Sequence, residues 1–364
     1  MEWSYSNPVP IQAGAALIGR VAEFLPSKGH ILLVTTPGTT RRGLSSHVVS
    51  LLGDHRVTVF DQVTPNPDLD YLDQATVDFV GKEISTIIAI GGGSVIDSAK
   101  ALSVTIPSGF PRPLNHVLRE TSGDEWQTSI PVIAIPTTAG TGSEVTPFAT
   151  VWDGQLKLKR SLDGKLLYPK MALLDPELTL SLPRSATLYS ALDAISHSLE
   201  SLWNRNRTVA STAFSIQALK LLISSLPAVL ERPQDLLARA QLQQGSVLAG
   251  LAISHTRTAL AHALSYPLTI HFGVPHGLAC SFTLVELLKL CQHQVADVLG
   301  DDLTARTLDV LSSLNLDKEL RQFADVEAVC ALTMEAPDAK RAGNFILDIN
   351  PLQVAELVEK SLSR

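Results

Sequence analysis

Short apolar runs rich in β-branched residues recur through the first half of the chain, and each is bounded by Gly, Pro, Asp or Ser. Stretches with helical character lie between these runs, and the alternation predicts a parallel β-sheet covered by helices. Prolines clustered between residues 65 and 113 indicate loops. The predicted strands are Ile31–Thr35, Val57–Phe60, Thr86–Ile90, Val132–Ile135 and Met171–Leu174.

The second half of the chain has a different pattern. From Leu182 onward, apolar positions repeat at helical spacing and β-branched runs are sparse. Helices are predicted at Ala210–Leu230, Leu236–Ile253 and Phe282–Leu290. The change predicts an α/β domain over residues 1–182 and an all-helical domain over residues 183–364, and a chain of 364 residues is long enough for two domains.

Composition and charge exclude several classes of protein. The formal net charge of −7, without basic runs, disfavours binding to nucleic acid or to an anionic membrane. The sequence has no apolar run of about 18 residues and no signal-peptide pattern after Met1, so we expect a cytoplasmic protein without a membrane span. Cys280, Cys291 and Cys330 are an odd number of cysteines at no metal-like spacing, which also favours a reducing compartment.

A glycine-rich turn follows the predicted strand Thr86–Ile90. It reads Gly91-Gly92-Gly93-Ser94 and leads into the helix-like segment Val95–Lys100. Glycines let the backbone approach a phosphate closely, and the N-terminus of the next helix offers N–H groups and a partial positive charge. The turn is a candidate phosphate-binding loop; the alternative is a tight strand-to-helix turn without a ligand.

A polar loop also follows the predicted strand Val132–Ile135. Residues 136–144 include three threonines, two glycines and a serine. Open α/β sheets bind ligands at the carboxyl ends of their strands, so two such loops after two strands favour a nucleotide-binding crevice. Taken alone, this second loop is equally well explained as a turn that caps a helix.

Four polar residues of the second half form a candidate metal site. Asp193 and His197 are four residues apart in a helix-like segment, which places both side chains on one helix face. His262 and His276 have largely apolar neighbours, and buried imidazoles and carboxylates need partners. A shared Zn²⁺ or Fe²⁺ would satisfy three histidines and one carboxylate. The alternative is that each histidine is an ordinary hydrogen-bonded core residue.

Taken together, these segments resemble the iron-containing alcohol dehydrogenase family. The resemblance covers roughly residues 8–290, with motifs at Gly91–Lys100, Pro136–Pro147, Asp193–Glu200 and His262–Gly277 and shorter matches at Asn66-Pro67 and Leu174–Glu177. It implies a Rossmann-like α/β nucleotide domain, an all-α metal-binding domain of the dehydroquinate synthase-like fold, and an active site between them. It also implies a nicotinamide cofactor, commonly a homodimer, and Fe²⁺ or in some members Zn²⁺ bound by Asp193, His197, His262 and His276.

The resemblance further implies the residues of the cofactor site, with the pyrophosphate on Gly92, Gly93 and Ser94. The other positions expected to line the nucleotide and nicotinamide site are Thr36, Asn66, Asp97, Thr137, Thr138, Thr141, Ser143 and Lys159. Many NAD-preferring relatives have an Asp where this chain has Thr36. Because that carboxylate is absent and Arg41 and Arg42 are near, we expect NADPH to be accepted. The alternative is that both arginines are solvated surface residues.

Three more residues concern the substrate and proton transfer. Tyr266 stands where many relatives have a second histidine, so we expect Tyr266, His271 or water in the proton-relay role. Arg257 lies five residues before His262, where simple alcohol dehydrogenases of the family usually have small or apolar residues. An arginine near the metal would pair with an anionic substrate group; the alternative is an internal ion pair.

We therefore expect a metal-dependent, NAD(P)H-linked alcohol dehydrogenase or aldehyde reductase that acts on a small anionic aldehyde. Residues 263–269 resemble the branch of the family that reduces phosphonoacetaldehyde to 2-hydroxyethylphosphonate. In this chemistry the metal polarises the aldehyde oxygen and the nicotinamide delivers hydride. One alternative is an enzyme of the same family with another alcohol or aldehyde as substrate. The others are an enzyme similar to the related dehydroquinate synthases or glycerol-1-phosphate dehydrogenases, and a nucleotide-binding protein that has lost catalysis.

Overall fold

The computed structural model describes residues 2–121, 126–334 and 339–363, and the chain divides into two compact units. An α/β unit comprises Asn7–Thr138 and Ser143–Ser181. A helical unit comprises Met1–Ser6, Ala139–Gly142 and Leu182–Arg364. The sequence pattern changes at the same place, near residue 182, but it does not indicate that residues 1–6 and 139–142 belong to the helical unit.

The α/β unit is built on a parallel sheet, as the alternating pattern predicts. Its strands are β1 (Ile11–Ala13), β2 (His30–Val34), β3 (Arg56–Phe60), β4 (Ile84–Gly91), β5 (Val132–Pro136), β6 (Phe148–Asp153), β7 (Leu158–Asp163) and β8 (Met171–Leu174). Within the described residues, six of them pair in the order β1-β8-β5-β4-β2-β3, every pair parallel. β6 and β7 form a separate antiparallel hairpin.

The central strands are apolar on both faces because both faces of the sheet are covered. Along β2, Leu32 and Val34 pack into one buried apolar cluster, whereas Ile31 and Leu33 pack into another. Successive side chains of a strand point to opposite faces, so one continuous apolar run contributes to both clusters.

The five predicted strands correspond to β2, β3, β4, β5 and β8, with ends shifted by at most two residues. The sequence does not predict β1 or the β6–β7 hairpin. β1 has only three residues, two of them exposed, and β7 is rich in charged residues. These strands therefore lack the continuous apolar run that marks a central strand.

Short helices complete the α/β unit. They are α1 (Pro37–Arg41), α2 (Leu44–Leu51), α3 (Leu69–Phe79), α4 (Gly93–Thr105) and α5 (Pro113–Asn115). Tighter or wider helical turns occupy Leu17–Phe24, His116–Glu120, Ser143–Val145, Lys165–Leu167 and Pro176–Thr179. The helix that matters most for a ligand is α4, because it begins directly after β4.

The helical unit is built around the long helices α6 (Arg184–Leu202), α7 (Val209–Glu231) and α8 (Leu236–Thr256), which pack against one another. The helices that follow are α9 (Leu260–Phe272), α10 (His276–Ala279), α11 (Leu284–Leu299), α12 (Asp301–Ser313), α13 (Leu316–Leu320), α14 (Val326–Met334), α15 (Ala339–Ala342) and α16 (Pro351–Leu362). The predicted helices Ala210–Leu230 and Leu236–Ile253 lie within α7 and α8. The predicted helix Phe282–Leu290 begins two residues before α11 and otherwise lies within it.

One helix of this unit, α7, is long and apolar enough to cross a membrane by length and composition alone. In its most apolar 18-residue window, 44% of the residues are buried inside the protein. Core helices of globular proteins pass the same test, so this feature is only weak support for a membrane span.

Candidate metal centre

Three helices of the helical unit supply the predicted metal ligands. α6 holds Asp193 and His197 one turn apart, α9 holds His262, and α10 begins at His276. The structure brings the four side chains together around one carboxylate oxygen, Oδ1 of Asp193. This oxygen lies 3.4 Å from Nε2 of His197, 3.3 Å from Nε2 of His262 and 3.8 Å from Nε2 of His276.

The spacing and hydrogen bonding of this cluster fit a divalent metal ion. Atoms that bind a tetrahedral ion at about 2.0–2.2 Å lie roughly 3.4 Å from one another, close to the observed separations. Nε2 of His262 is buried and has no hydrogen-bond partner among the described residues. Its other ring nitrogen bonds to Glu200, and a carboxylate in that place orients a metal-binding histidine. Asp193, His197, His262 and His276 are therefore suited to hold the metal.

The protonation states of the cluster depend on its burial and its charges. Burial opposes the charged form of Asp193, but His197 and the other imidazoles hold its pKa well below the usual range. Burial lowers the pKa of His197 to about 4, so this imidazole is neutral at neutral pH, the form that binds metals. Burial also opposes the charged form of His262, but Glu200 and Asp193 raise its pKa. A bound cation would replace that proton.

Access to the cluster is uneven. The side chain of His276 is 29% exposed, whereas those of His197 and His262 are 6% and 3% exposed. A small molecule would therefore approach the cluster from the His276 side.

The cluster contains one further donor that the sequence analysis missed. Cys280, the C-cap of α10, is fully buried, and its Sγ donates a hydrogen bond to Oδ1 of Asp193 at 3.5 Å. The donor atoms of Asp193, His262, His276 and Cys280 all lie within 4.8 Å of one another. The spacing of the three cysteines gives no signal, but the four-residue separation of His276 and Cys280 does, because it places both on one helical turn.

The structure brings Tyr266, but not His271, to the metal ligands. The ring of Tyr266 lies parallel to that of His276, with an angle of 8° and centroids 6.1 Å apart. The guanidinium carbon of Arg341, a residue that the sequence analysis did not single out, lies 4.7 Å from the centre of the Tyr266 ring. His271 is exposed in the last turn of α9, nine residues beyond His262. That separation is roughly 13 Å along a helix axis.

Arg257 ends α8 in a strained backbone conformation. Its φ of 66° and ψ of 179° lie in a region that is essentially reserved for glycine, at a cost of about 1–3 kcal/mol. Its N–H donates to the carbonyl of Ile253 at 2.9 Å, and its own carbonyl accepts from Thr256 Oγ1 at 3.0 Å and Asn204 Nδ2 at 3.3 Å. We expected Arg257 on the helix of His262 or at its entry; it lies instead at the end of the preceding helix.

The glycine-rich turn of the α/β unit has the geometry of an anion-binding site. β4 ends at Gly91, and Gly92 is the N-cap of α4. A Cβ atom on Gly91 would lie 2.4 Å from Cγ2 of Val95, and one on Gly92 would lie 3.2 Å from Oγ1 of Thr138. The N–H of Thr137 donates to the Gly91 carbonyl at 3.0 Å and joins the two loops. A side chain at Gly91 would therefore displace Val95, and one at Gly92 would press on Thr138, in a turn that ends at a helix N-terminus.

Neighbouring positions support the same turn. Gly93 and Ser94 are the first two residues of α4, and the Ser94 hydroxyl accepts a hydrogen bond from the exposed Asn66 N–H at 3.3 Å. Asn66 has a φ of 56°, in the left-handed region that asparagine tolerates. Thr141 lies in the segment Ala139–Gly142, which belongs to the helical unit. The predicted cofactor residues are therefore divided between the two units.

Asp97 is held by protein groups inside the α/β unit. Oγ of Ser143 donates to its Oδ1 at 2.6 Å, and the N–H of Thr150 donates to its Oδ2 at 2.9 Å. Burial raises the pKa of Asp97, while the charges of Lys100 and, more weakly, Lys159 oppose that rise. Asp97 and Ser143 were predicted to line the cofactor site. In the structure they bind each other, and this hydrogen bond links α4 to the loop that follows β5.

Thr36 and two arginines meet at the first turn of α1. Thr36 is the N-cap, and its Oγ1 accepts from the N–H of Thr39 at 3.2 Å. A Cβ atom on Gly38 would lie 3.3 Å from Nη1 of Arg42, 3.7 Å from Oγ1 of Thr36 and 3.9 Å from Nη2 of Arg41. Both guanidinium groups, although exposed, therefore lie within 4 Å of the Cβ position of Gly38, in the turn that Thr36 caps.

The fold and the donor set define a class of protein: an α/β unit with a glycine-rich turn at a helix N-terminus, joined in sequence to a helical unit with a cluster of three imidazoles and one carboxylate. The family profile for iron-containing alcohol dehydrogenases matches residues 8–176, and the profile for the C-terminal region of Fe-containing alcohol dehydrogenases matches residues 187–341. The chain belongs to the iron-containing alcohol dehydrogenase family. The predicted family, fold class and cofactor classes, a divalent metal and a nicotinamide dinucleotide, are confirmed at this level.

Three individual proteins are similar to this chain in sequence or in structure. Over 234 residues, or 62% of this chain, it is 38% identical to a phosphonoacetaldehyde reductase of Streptomyces viridochromogenes, and the match spans 59% of that relative's length. It is 30% identical over 90% of its length to a long-chain-alcohol dehydrogenase of Geobacillus thermodenitrificans, of which 87% is covered. The structure of a sulfoacetaldehyde reductase of Bifidobacterium kashiwanohense, in complex with NAD⁺, superposes with a TM-score of 0.86 at 26% identity, covering 100% of this chain and 99% of the other.

Proposed function

We propose that the protein is a metal-dependent, NAD(P)H-linked alcohol dehydrogenase that reduces a small anionic aldehyde such as phosphonoacetaldehyde. The observation that supports the reaction class is the grouping of three imidazole nitrogens within 3.8 Å of one buried carboxylate oxygen, in a chain of this family. When bound, the metal polarises the substrate oxygen and the reduced nicotinamide supplies hydride.

The residues of this chain have separate roles in that proposal. Asp193, His197, His262 and His276 hold the metal. His276, the exposed ligand, marks the side from which the aldehyde enters. The hydroxyl of Tyr266, whose ring is stacked on His276, is the candidate proton donor to the product oxygen.

Two cationic groups support an anionic substrate. Arg257 is held in a strained conformation, and strained residues cluster at functional sites. Arg341 lies over the ring of Tyr266, next to the exposed metal ligand. A phosphonate or sulfonate group needs such a partner, and both the Streptomyces and the Bifidobacterium relatives are named for aldehydes that bear an anionic group.

Substitution of Arg257 tests the substrate class. Glycine adopts the φ of this position without strain, so Arg257→Gly removes the charge but keeps the backbone. We expect kcat/KM to fall about 10–100-fold for phosphonoacetaldehyde, the value of a lost charge-assisted hydrogen bond, and to change little for propionaldehyde. Arg257→Lys should retain part of the activity, and the exposed Arg232→Ala is the control. Equal losses with both aldehydes, or none, would exclude Arg257 as the anion-binding group.

We further propose that NADPH is accepted at least as well as NADH, because Thr36 and two guanidinium groups stand where a carboxylate would repel the 2′-phosphate. Thr36→Asp should lower kcat/KM with NADPH about 10-fold or more while leaving NADH less affected. Arg42→Ala should act in the same direction, and Arg20→Ala, an exposed arginine elsewhere on the α/β unit, is the control. A strong NADH preference of the unaltered protein would refute this assignment.

We also propose a homodimer in a reducing compartment such as the cytoplasm. The low charged fraction of 18% suits a chain with part of its surface covered, and all three cysteines are free thiols. Light scattering of the purified protein measures the number of subunits.

A further inference from the structure

We propose that Asn344 and Asn204 are positioning residues for substrate specificity, because their side-chain amides hold Arg257 in the conformation in which it binds an anionic substrate group. The inference rests on the proposed function, in which Arg257 binds the anionic group of the aldehyde. Both asparagines are distant from Arg257 in sequence: Asn204 follows α6, and Asn344 lies between α15 and α16. They act through Arg257 and not on the substrate.

The backbone at Arg257 needs support to keep its observed conformation. Its φ of 66° and ψ of 179° are unfavourable for a residue with a Cβ atom. The φ angle also determines the direction in which the side chain leaves the backbone. A return to negative φ would therefore relieve the strain and turn the guanidinium group away from its present place.

Two side-chain amides hold the loop between α8 and α9 in this conformation. Nδ2 of Asn204 donates to the carbonyl of Arg257 at 3.3 Å. Nδ2 of Asn344 donates to the carbonyl of the next residue, Thr258, at 2.9 Å. A change of φ at Arg257 moves both carbonyl groups, so it would break both hydrogen bonds.

The two asparagines are themselves fixed by an antiparallel β-bridge between residues 203–205 and 344–346. The N–H of Arg205 donates to the Asn344 carbonyl at 2.8 Å, and the N–H of Ile346 donates to the Trp203 carbonyl at 3.0 Å. The side chains of Trp203 and Phe345 in these two segments are fully buried. The amides are therefore presented by anchored backbone, as a residue that positions another one requires.

The C-terminal segment, residues 341–346, thus has two connections to the substrate side of the metal ligands. It supplies Arg341, whose guanidinium carbon lies 4.7 Å from the centre of the Tyr266 ring. Through Asn344 it also fixes the loop that carries Arg257. Preference for an anionic aldehyde should therefore depend on this segment as well as on Arg257 itself.

A double-mutant cycle tests whether Asn344 acts through Arg257. Asn344 is only partly buried, so Asn344→Ala removes the amide at the edge of the fold. We expect kcat/KM for phosphonoacetaldehyde to fall about 5–10-fold, the value of one hydrogen bond, and to fall less for propionaldehyde, which has no anionic group. In the Arg257→Gly background, where glycine adopts the same φ without strain, Asn344→Ala should cause no further loss.

Two more variants complete the comparison. Asn204→Ala should show the same pattern as Asn344→Ala, because it removes the other amide. Asn350→Ala is the matched control: it removes the asparagine oxygen that accepts from the N–H of Gln353 at 3.0 Å and caps α16. It should lower thermal stability without changing the ratio of kcat/KM for the two aldehydes.

A crystal structure of Asn344→Ala gives a result that does not depend on activity, and we expect a negative φ at residue 257. An unchanged φ, equal losses with both aldehydes, or the same loss in the Arg257→Gly background would overturn the proposal and leave the proposed function intact. If Arg257→Gly does not itself distinguish the two aldehydes, the anion-binding role of Arg257 fails, and the positioning role fails with it.

Discussion

At the scale of single residues, the metal centre is organised around one atom. Oδ1 of Asp193 lies within 3.8 Å of three imidazole nitrogens and 3.5 Å from a thiol. A buried carboxylate without a positive partner would be costly, so the helices that bring these groups together require a cation or a proton among them. The stability of this buried polar cluster therefore depends on the cation or proton that it binds.

Glu200 is the residue that orients one of these ligands. It is fully buried on α6, and its carboxylate accepts hydrogen bonds from both the ring and the backbone N–H of His262. Glu200→Gln removes the charge that stabilises the metal-bound imidazole. We expect metal affinity to fall about 10–100-fold in a chelator-competition titration at mildly alkaline pH.

The exposed Glu231→Gln variant, at the end of α7, controls for the loss of one negative charge. Unchanged affinity in Glu200→Gln would show that Glu200 only supports the packing of α9.

Sequence alone predicts which residues lie close together where the pattern is local. Asp193 and His197 are one helical turn apart, so their proximity follows from their spacing. The positions of Cys280 and Arg341 depend on how distant helices pack, and the strained backbone of Arg257 depends on hydrogen bonds to other segments. No local pattern encodes such contacts.

At the scale of elements, the sequence predicts the buried strands and misses the strands with polar side chains. β2, β4, β5 and β8 were recognised because strands covered on both faces are continuous apolar runs. The β6–β7 hairpin was missed because its polar side chains interrupt any such run. The helix that holds His276 is only four residues long, too short for a periodic pattern, so its start could be inferred only from the family motif.

The contact between α10 and α6 requires a glycine. A Cβ atom on Gly277 would lie 1.8 Å from the backbone carbonyl oxygen of Tyr189. Because backbone atoms on α6 cannot move aside cheaply, we expect Gly277→Ala to lower the free energy of unfolding by about 3 kcal/mol, measured by urea denaturation. It should also weaken metal binding, since His276 precedes Gly277.

Gly19→Ala is the matched control, because no described atom lies within 4 Å of the Cβ position at Gly19. If both variants are equally stable, the close approach of α10 to α6 is not required for folding.

At the scale of the whole molecule, the metal donors all belong to the helical unit. A ligand that binds only the folded state stabilises it by mass action, by about 2.7 kcal/mol at a concentration 100 times its Kd. We expect metal at that concentration to raise the Tm of the chelated protein by roughly 5–10 °C in a calorimetric scan. Asp193→Ala should abolish the shift, and a shift that persists in this variant would place the stabilising ion elsewhere.

The segment Ala139–Gly142 makes the order of synthesis relevant to folding. It belongs to the helical unit, where a Cβ atom on Gly140 would lie 2.6 Å from the carbonyl oxygen of Ser190 and one on Gly142 would lie 2.4 Å from Gly250. These four residues leave the ribosome well before the helices on which they pack. A nascent chain can thus form most of its parallel sheet before residues 139–142 can pack. Their packing partners on α6 and α8 are translated about fifty to a hundred codons later.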